Sequence, residues 1–226
     1  MLAKIGITVF PGSNCDRDVH HILKNILNVD VEFIWHNSSV GNFDSIIIPG
    51  GFTYGDRLRA GAIAAHSPIM NKIVDMSEKN VPILGICNGF QILVETGLLP
   101  GALILNDSLK FVCKWINTLV VNNKTPFTCL FKEKEILSIP IAHGEGKFVV
   151  EPESVKLIRQ NNQVVIQYTD GNPNGSMENI AAVCNTKGNV MGMMPHPERG
   201  SDLDLVPTGF LGNSITIFKS LLHYLR

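Results

Sequence analysis

The sequence predicts an α/β fold with a mostly parallel central sheet, helices on both faces and added antiparallel strands. Three observations support this prediction. Short, nearly continuous apolar runs alternate with amphipathic stretches in the first half of the chain. Short β-rich runs separated by turn residues follow at 102–150 and 164–194, and an amphipathic pattern closes the chain. Apolar strands that alternate with helices are typical of βαβ units, whose parallel sheet is buried on both faces.

Each predicted element has a local reason. The strands are runs of aliphatic, often β-branched residues, and the helical stretches repeat apolar side chains at intervals of three and four. Ser67-Pro68 interrupts the longest helical stretch. The predicted elements of the first half are a strand at 5–10, a helix at 16–27, strands at 31–35 and 45–48, helical material at 57–79 and a strand at 81–86.

The second half predicts shorter strands and a closing helix. Ile217, Leu221 and Leu225 repeat at helical spacing near the end of the chain. No repeat, low-complexity tract or linker interrupts the sequence, so we expect one domain over residues 1–226. The clearest elements are strands at 111–121, 180–184 and 190–194 and a helix at 213–225.

The composition argues against several classes of function. With 19 basic and 20 acidic residues, the chain lacks the charge of a protein that grips nucleic acid or an anionic membrane. No apolar run is long enough to span a membrane, and the first one stops at Pro11-Gly12 without a cleavage site. Five widely spaced cysteines without CxxC spacing predict neither a disulfide framework nor a metal site, which favours the cytoplasm.

The segment around Cys87 predicts a nucleophile. An apolar strand leads into Gly85-x-Cys87-x-Gly89, and a helical pattern follows at once. This is the form of a nucleophile elbow with cysteine in place of serine, and the glycines make room for the sharp turn. The helix dipole would favour the thiolate, and the Asn88 backbone N–H would point at a developing oxyanion. For this short pattern alone, an inert buried cysteine is the alternative.

A second segment, Pro195-His196-Pro197-Glu198, predicts the other members of a triad. A cysteine nucleophile needs a base, and the base needs an orienting acceptor. In an extended segment, His196 and Glu198 project from the same face because they are two residues apart. Glu198 can then hold the imidazole while the other ring nitrogen addresses the thiol. A surface histidine beside a solvated glutamate is the alternative for this pair alone.

A third motif, Pro49-Gly50-Gly51, ends the apolar strand at 45–48. Amides without side-chain cover at the carboxyl end of a strand can supply a second oxyanion donor, here the Gly51 N–H. Alone, this tripeptide is only a turn. Its significance comes from the order of the three motifs along the chain: a Gly-Gly loop, a cysteine elbow and a His-x-Glu triplet.

This order resembles the class I, or triad, glutamine amidotransferases. Gly50-Gly51 matches the oxyanion loop of that family, Gly85–Gln91 matches its GxCxGxQ elbow, and His196-Pro197-Glu198 matches its HPE triplet. The resemblance implies a triad of Cys87, His196 and Glu198, and it implies that Gln91 helps to hold the glutamine substrate.

Further segments resemble the family of glutaminase subunits of phosphoribosylformylglycinamidine synthase, which acts in purine biosynthesis. That resemblance implies hydrolysis of glutamine through a cysteine thioester and transfer of ammonia to a large ATP-dependent synthetase subunit, often accompanied by a small third subunit. Residues 54–59 and 143–147 would then help to form the partner surface or order the site. The matching segments are 9–18, 50–56, 58–63, 85–91, 140–147, 172–176 and 179–181.

No cofactor is expected in this chain. The phosphate-binding pattern GxxxxGK[ST] is absent from the sequence, so ATP and Mg are expected on the partner synthetase subunit. Two rival functions stay open: a glutaminase of another amidotransferase pathway, and a stand-alone γ-glutamyl cysteine hydrolase. A binding module that keeps the triad is a third alternative.

The remaining cysteines are predicted to have no catalytic role. Cys15 follows Ser13-Asn14, a plausible helix N-cap region, so its thiol could be reactive. No base lies near it in the sequence, which favours a buried or bystander cysteine. Cys113, Cys129 and Cys184 lie in strand-like runs and are predicted to belong to the core.

Overall fold

Residues 3–226 are described by a computed structural model. Its strands are β1 Lys4–Val9, β2 Asp30–Trp35, β3 Ser45–Ile48, β4 Ile83–Ile86, β5 Ala102–Ile104, β6 Val112–Val120, β7 Ile136–His143, β8 Lys147–Val149, β9 Val164–Tyr168, β10 Ile180–Cys184 and β11 Val190–Met193. Its helices are α1 Asp16–His20, which continues as a π-helical segment His21–Ile26, α2 Pro68–Glu78, α3 Asn88–Glu95, α4 Pro152–Gln160 and α5 Thr216–Tyr224. Short 3₁₀ turns lie at Thr53–Asp56, Ala64–His66, Met177–Asn179, Glu198–Gly200 and Leu203–Leu205.

Nine of these strands form one sheet in the order β2-β1-β3-β4-β11-β10-β9-β6-β7. The first five strands run parallel to one another, and every pairing from β11 to β7 is antiparallel. Strands β5 and β8 form a separate antiparallel pair. The predicted fold class, a mostly parallel sheet with added antiparallel strands, is confirmed.

Burial separates the two halves of the sheet. All residues of β3, β4 and β11 are buried, as expected for parallel strands covered by helices on both faces. In β6, buried and partly exposed residues alternate towards its end, as expected for an antiparallel strand with one wetter face. Apolar side chains from both halves join one continuous core.

Two predicted helices differ from the structure. The stretch 57–79 is helical only in its last part, because Leu58 and Gly61 adopt positive φ angles of 71° and 81° that no helix tolerates. Pro68 then occupies the first turn of α2, where its missing N–H costs no hydrogen bond. The stretch 16–27 is helical, but it changes from α to π geometry at His21.

One hydrogen bond between strands sets the position of the site. The Cys87 N–H, just after β4, donates to the Met193 carbonyl at the end of β11 over 2.7 Å. The carboxyl ends of neighbouring parallel strands meet at the same edge of the sheet, where ligands bind in folds of this kind. Within residues 3–226, the helices are all too short or too polar to cross a bilayer.

Candidate active site

The turn at Cys87 has the strained geometry of a nucleophile elbow. Cys87 has φ 50° and ψ −104°, a conformation that an L-residue keeps only when its surroundings enforce it. A Cβ atom on Gly89 would overlap the Ile48 carbonyl, and one on Gly85 would lie 2.6 Å from the Gly89 carbonyl oxygen. Both glycines are therefore required by close backbone approach, as the sequence predicted.

His196 and Glu198 form a buried pair directly after β11. The Nδ1 atom of His196 lies 2.6 Å from Oε1 of Glu198, and both residues are 2% exposed. The segment is not extended, contrary to the prediction from the sequence: Pro197 has φ −63° and ψ −32°, and Glu198 begins a 3₁₀ turn. The pairing arises from this tight turn, and the Pro140 carbonyl holds it by accepting the His196 N–H over 2.8 Å.

Neighbouring groups raise the pKa of His196 despite its burial. Burial lowers the pKa of His196, but the Glu198 carboxylate and then Cys87 outweigh burial, so the pKa is raised well above its ordinary value. Because Glu198 accepts the hydrogen bond at Nδ1, the other ring nitrogen, Nε2, is the one that can exchange a proton. Among residues 3–226, this buried Nε2 has no hydrogen-bond partner.

Gly51 is held against the segment that follows β1. A Cβ atom at Gly51 would lie 2.7 Å from the Gly12 carbonyl oxygen and 2.8 Å from the Asn14 nitrogen. Gly51 also pairs with Ser13 in an isolated β-bridge and lines the same cavity as Cys87. This clamp fixes the direction of the Gly51 peptide, as a preorganised oxyanion donor requires.

The side chains of Asn88 and Gln91 tie the walls of the site together. Asn88 accepts from the Thr53 N–H over 3.1 Å and donates to Gln91 Oε1 over 2.8 Å. Gln91 in turn donates to the Glu145 carbonyl over 2.6 Å. The Gly-Gly loop, the elbow helix and the loop after β7 are thus joined by one chain of amide hydrogen bonds.

A cavity of about 320 Å³ opens over Cys87. Asp56 and Glu145 place two carboxylates on its wall, and Arg199 places a guanidinium there. Burial, and then repulsion by Glu145, raise the pKa of Asp56 to about 6. Apolar side chains, including Phe52 and Phe111, complete the rim.

Beneath the cavity, Asn106 fixes the tautomer of His143. Its amide nitrogen donates to the Lys110 and His143 carbonyls, so its oxygen must accept, and it does so from the Gly146 N–H over 3.0 Å. The same oxygen lies 3.2 Å from His143 Nδ1, which therefore carries the proton. Burial, and then the charge of His196, lower the pKa of His143 to about 4.

Cys15 occupies a position that its sequence context does not predict. It is buried as expected, but it lines the cavity, and Arg199 donates from a guanidinium nitrogen to its sulfur over 3.1 Å. Its sulfur, a His196 ring nitrogen and a Glu198 carboxylate oxygen all lie within 4.8 Å of one another. A base is therefore absent near Cys15 in the sequence but present beside it in the structure.

The other three cysteines fit the core prediction unequally. Cys184 is buried in β10, which agrees, and burial raises the pKa of its thiol to about 12. Cys113 lies in β6 but is exposed and lines the cavity, so its assignment to the core was wrong. Cys129 lies in a turn and is only partly buried, and its predicted strand does not exist.

The fold and the site define a class of protein. Residues 3–225 match the CobB/CobQ-like glutamine amidotransferase domain family, and the chain belongs to this family. It is a glutamine amidotransferase.

One solved structure is similar to this chain over its whole length. Over 100% of both chains, this chain is similar to a chain of PurLQS from Thermotoga maritima, with 43% sequence identity and a TM-score of 0.90.

Two more distant structures share the fold alone. One is a candidate GMP synthase component from Thermoplasma acidophilum, with 15% identity and a TM-score of 0.68, covering 100% of this chain and 94% of that one. The other is a glutamine amidotransferase from Thermotoga maritima, with 14% identity and a TM-score of 0.60, covering 100% of this chain and 98% of that one.

Proposed function

We propose that this chain is the glutaminase subunit of phosphoribosylformylglycinamidine synthase, and that it releases ammonia from glutamine for a synthetase partner in purine biosynthesis. The observation that carries this proposal is the full-length similarity to PurLQS together with the buried His196–Glu198 pair facing the Cys87 elbow. The proposed partners are a large synthetase subunit, which binds ATP and Mg, and a small third subunit. The proposed location is the cytoplasm.

The geometry supports a two-step hydrolysis with Cys87 as the nucleophile. The Cys87 thiolate, whose proton has passed to His196 Nε2, attacks the side-chain amide carbon of glutamine, and the Gly51 and Asn88 backbone amides stabilise the oxyanion. His196 gives a proton from Nε2 to the leaving nitrogen, which departs as ammonia and leaves a γ-glutamyl thioester. His196 then takes a proton from water as the water oxygen attacks the thioester carbon, and the carbon–sulfur bond breaks to release glutamate and restore the Cys87 thiolate beside the protonated His196. Glu198 holds the imidazole through Nδ1 in both steps.

The charges on the cavity wall support a free amino acid as the substrate. Glutamine carries an α-ammonium and an α-carboxylate, so its site must offer both signs of charge. Asp56 and Glu145 are two carboxylates without an ion-pair partner among residues 3–226, and Arg199 provides a cation on the same wall. We assign the α-ammonium to the two carboxylates. Gln91 then contributes mainly by holding the Glu145 loop, because both ends of its amide are already paired.

Exposed apolar side chains around the cavity support a partner that covers it. Phe52, Leu105 and Phe111 line the cavity and are each about half exposed, with the two phenylalanine rings 6.3 Å apart. Contiguous apolar groups at a polar rim are typical of protein interfaces. A covering subunit would also keep ammonia from water. Tyr54, by contrast, faces inwards and contacts His36, so it orders the loop instead.

The test is amidine synthesis by the chain and a purified synthetase partner, with glutamine or ammonium as nitrogen donor. Wild type should use both donors. Cys87→Ala should use ammonium only, with glutamine-dependent activity reduced by at least about 10⁴-fold because the nucleophile is lost. Cys129→Ala, at a partly buried thiol in a turn, is the matched control and should keep both activities.

Two outcomes would contradict the proposal. If Cys87→Ala still used glutamine, Cys87 would not be the nucleophile. If the wild-type complex used ammonium but not glutamine, this chain would not be the ammonia source of that synthetase. That result would point to another amidotransferase pathway.

A further inference from the structure

The turn that follows β1 is closed by a serine side chain. The Ser13 hydroxyl oxygen accepts the Phe10 N–H over 2.9 Å, and the Ser13 N–H donates to the Phe10 carbonyl over 2.9 Å. Two hydrogen bonds thus tie the ends of this turn, which spans residues 10–13. Gly12 lies within it at a φ angle of 90°, and a Cβ atom there would lie 2.3 Å from the Phe52 carbonyl oxygen. The turn therefore packs directly against the loop that follows β3.

The segment after this turn holds the carbonyl group of Gly50. That carbonyl accepts two hydrogen bonds, from the Asn14 N–H over 3.2 Å and from the Cys15 N–H over 3.1 Å. The Gly50 carbonyl and the Gly51 N–H belong to one trans peptide, so they point in opposite directions. The Gly51 N–H therefore points away from residues 14 and 15, and Gly51 lines the cavity together with Cys87.

The turn also holds the chain on the other side of Gly51. The Phe52 N–H donates to the Gly12 carbonyl over 3.0 Å, and the Tyr54 N–H donates to the Pro11 carbonyl over 2.7 Å. Backbone hydrogen bonds thus run from both sides of Gly51 to residues 11–15. The direction of the Gly51 peptide depends on the shape of this one short segment.

We propose that Ser13 is a positioning residue for the reaction at Cys87, because its hydroxyl holds the turn that directs the Gly51 N–H. This role rests on the proposed function, which makes the Gly51 amide an oxyanion donor. Among residues 3–226, those that line the cavity do not include Ser13, so it acts through the backbone and not by contact with glutamine. A preorganised donor lowers the barrier because it needs no reorientation when charge develops. A loosened donor should therefore lower kcat and leave KM nearly unchanged.

The turn is tested without turnover, by amide hydrogen exchange of the full chain followed by NMR. In Ser13→Ala, the N–H groups of residues 14, 15, 52 and 54 should exchange at least about tenfold faster than in wild type, because the segment that pairs with them opens more often. The N–H groups of β4 should exchange at the wild-type rate.

Ser108→Ala is the matched control for this experiment. The Ser108 hydroxyl also accepts a backbone N–H within a turn, from Lys110 over 3.3 Å, and neither residue lines the cavity. Its removal should leave the exchange of residues 14, 15, 52 and 54 unchanged. Circular dichroism confirms the folding of each variant.

Glutaminase kinetics of the same variants test the effect on the reaction. Ser13→Ala should lower kcat by at least about tenfold, which is less than the loss of about 10²–10³-fold when an oxyanion donor is removed outright. KM should stay within about twofold of wild type. Ser13→Thr keeps the hydroxyl acceptor and should restore most of kcat, and Ser108→Ala should match wild type.

Alkylation by iodoacetamide separates the oxyanion donor from the nucleophile. This reaction needs the Cys87 thiolate but forms no oxyanion, so Ser13→Ala should react at the wild-type rate at Cys87. Mass spectrometry of the peptide that contains Cys87 measures that rate without interference from the other thiols.

Three results would overturn the role of Ser13: unchanged exchange in Ser13→Ala, faster exchange with an unchanged kcat, or alkylation that slows in parallel with kcat. The last result would mean that the substitution damages the nucleophile. A wild-type chain that hydrolyses no glutamine, alone or with its synthetase, would instead reject the proposed function, and the catalytic role of Ser13 with it.

Discussion

The parallel and antiparallel halves of the sheet contribute to the site in different ways. The parallel half supplies the proposed reacting groups from the carboxyl ends of its strands: the Gly51 amide after β3, Cys87 after β4 and His196 after β11. The antiparallel half supplies supporting groups. Its strand β7 holds His196 through the Pro140 carbonyl, and the Ala142 carbonyl lies 3.8 Å from the Cys87 sulfur.

This difference follows from how each half presents its backbone. Parallel strands all end at one edge of the sheet, so groups from distant parts of the sequence meet there. Antiparallel strands alternate in direction, so a strand such as β7 passes beside the site. It contributes backbone carbonyl groups and the loop that follows it. Substitutions in the parallel half should therefore affect chemistry, and those in the antiparallel half should affect stability and binding.

Among the substitutions that compare the two halves, the largest effect is expected at Glu198, which orients the proposed base His196. Glu198→Gln should lower kcat for glutamine hydrolysis by about 10³–10⁴-fold, because an amide can donate to His196 Nδ1 and stabilise the wrong tautomer. KM should change little. Steady-state glutaminase kinetics measure both values. Glu178→Gln, which breaks a surface pair with Arg159 beside the antiparallel strands, is the control and should stay within about twofold of wild type. An equal loss in both variants would refute the division between the halves.

A smaller effect on chemistry but a large one on stability is expected at Asn106. This buried side chain makes four hydrogen bonds that join the segment between β5 and β6 to the His143–Gly146 loop. Asn106→Ala should lower the free energy of unfolding by about 2–4 kcal/mol, because buried partners lose their hydrogen bonds. Urea denaturation measures the change.

The control for Asn106 is Asn122→Ala, whose side chain bonds at the surface, and it should lose less than about 1 kcal/mol. A kcat loss comparable to that of Glu198→Gln, with stability unchanged, would mean that the antiparallel half acts directly in the chemistry.

The smallest effect is expected at Asp56, where the two halves face each other across the cavity. The fold raises the pKa of this carboxyl from 3.8 to about 6, through burial and then through Glu145. Its favourable contribution to stability is therefore fully present below pH 3.8 and is lost as the pH rises through about 6. At pH 8, Asp56→Asn should raise the free energy of unfolding by about 1 kcal/mol, allowing for solvent screening.

The same variant should weaken glutamine binding, because the ionised Asp56 is assigned to the α-ammonium group. KM should rise by about tenfold, equivalent to about 1.4 kcal/mol, with kcat nearly unchanged. Denaturation at pH 5 and pH 8, together with kinetics at pH 8, tests both statements. A lower KM in Asp56→Asn would show that Asp56 does not bind the α-ammonium group of glutamine.

Local sequence patterns were sufficient to predict the elements that carry the proposed catalytic residues. The bounds of β3 and β10 agree with prediction, because buried β-branched runs flanked by turn residues have few alternative structures. The elbow was predicted equally well, because Gly85 is required by contact with the nearby Gly89 carbonyl, although Gly89 itself is required by the distant Ile48 carbonyl in β3. The stretch 57–63 was not, because Leu58 has a positive φ angle that its residue type disfavours.

The neighbourhood of Cys15 depends on strand order, which no local pattern encodes. Cys15 follows β1, and only the order β1-β3-β4-β11 brings it beside His196. One general signal could have found it: groups that follow parallel strands collect at the same edge of the sheet. The His196–Glu198 contact was predicted correctly for the wrong local reason, since a 3₁₀ turn and not an extended segment produces it.

The hydrogen bond from Cys87 to Met193 has a consequence for how such a chain can diversify. The proposed nucleophile and the proposed base follow neighbouring paired strands, so their separation is independent of the length of chain that lies between them in sequence. The connection from β6 to β7 lies at the end of those strands remote from the site, since Val112 pairs with His143 beside the cavity. Evolution can therefore lengthen or replace that connection to recognise new partners while the reaction centre stays unchanged.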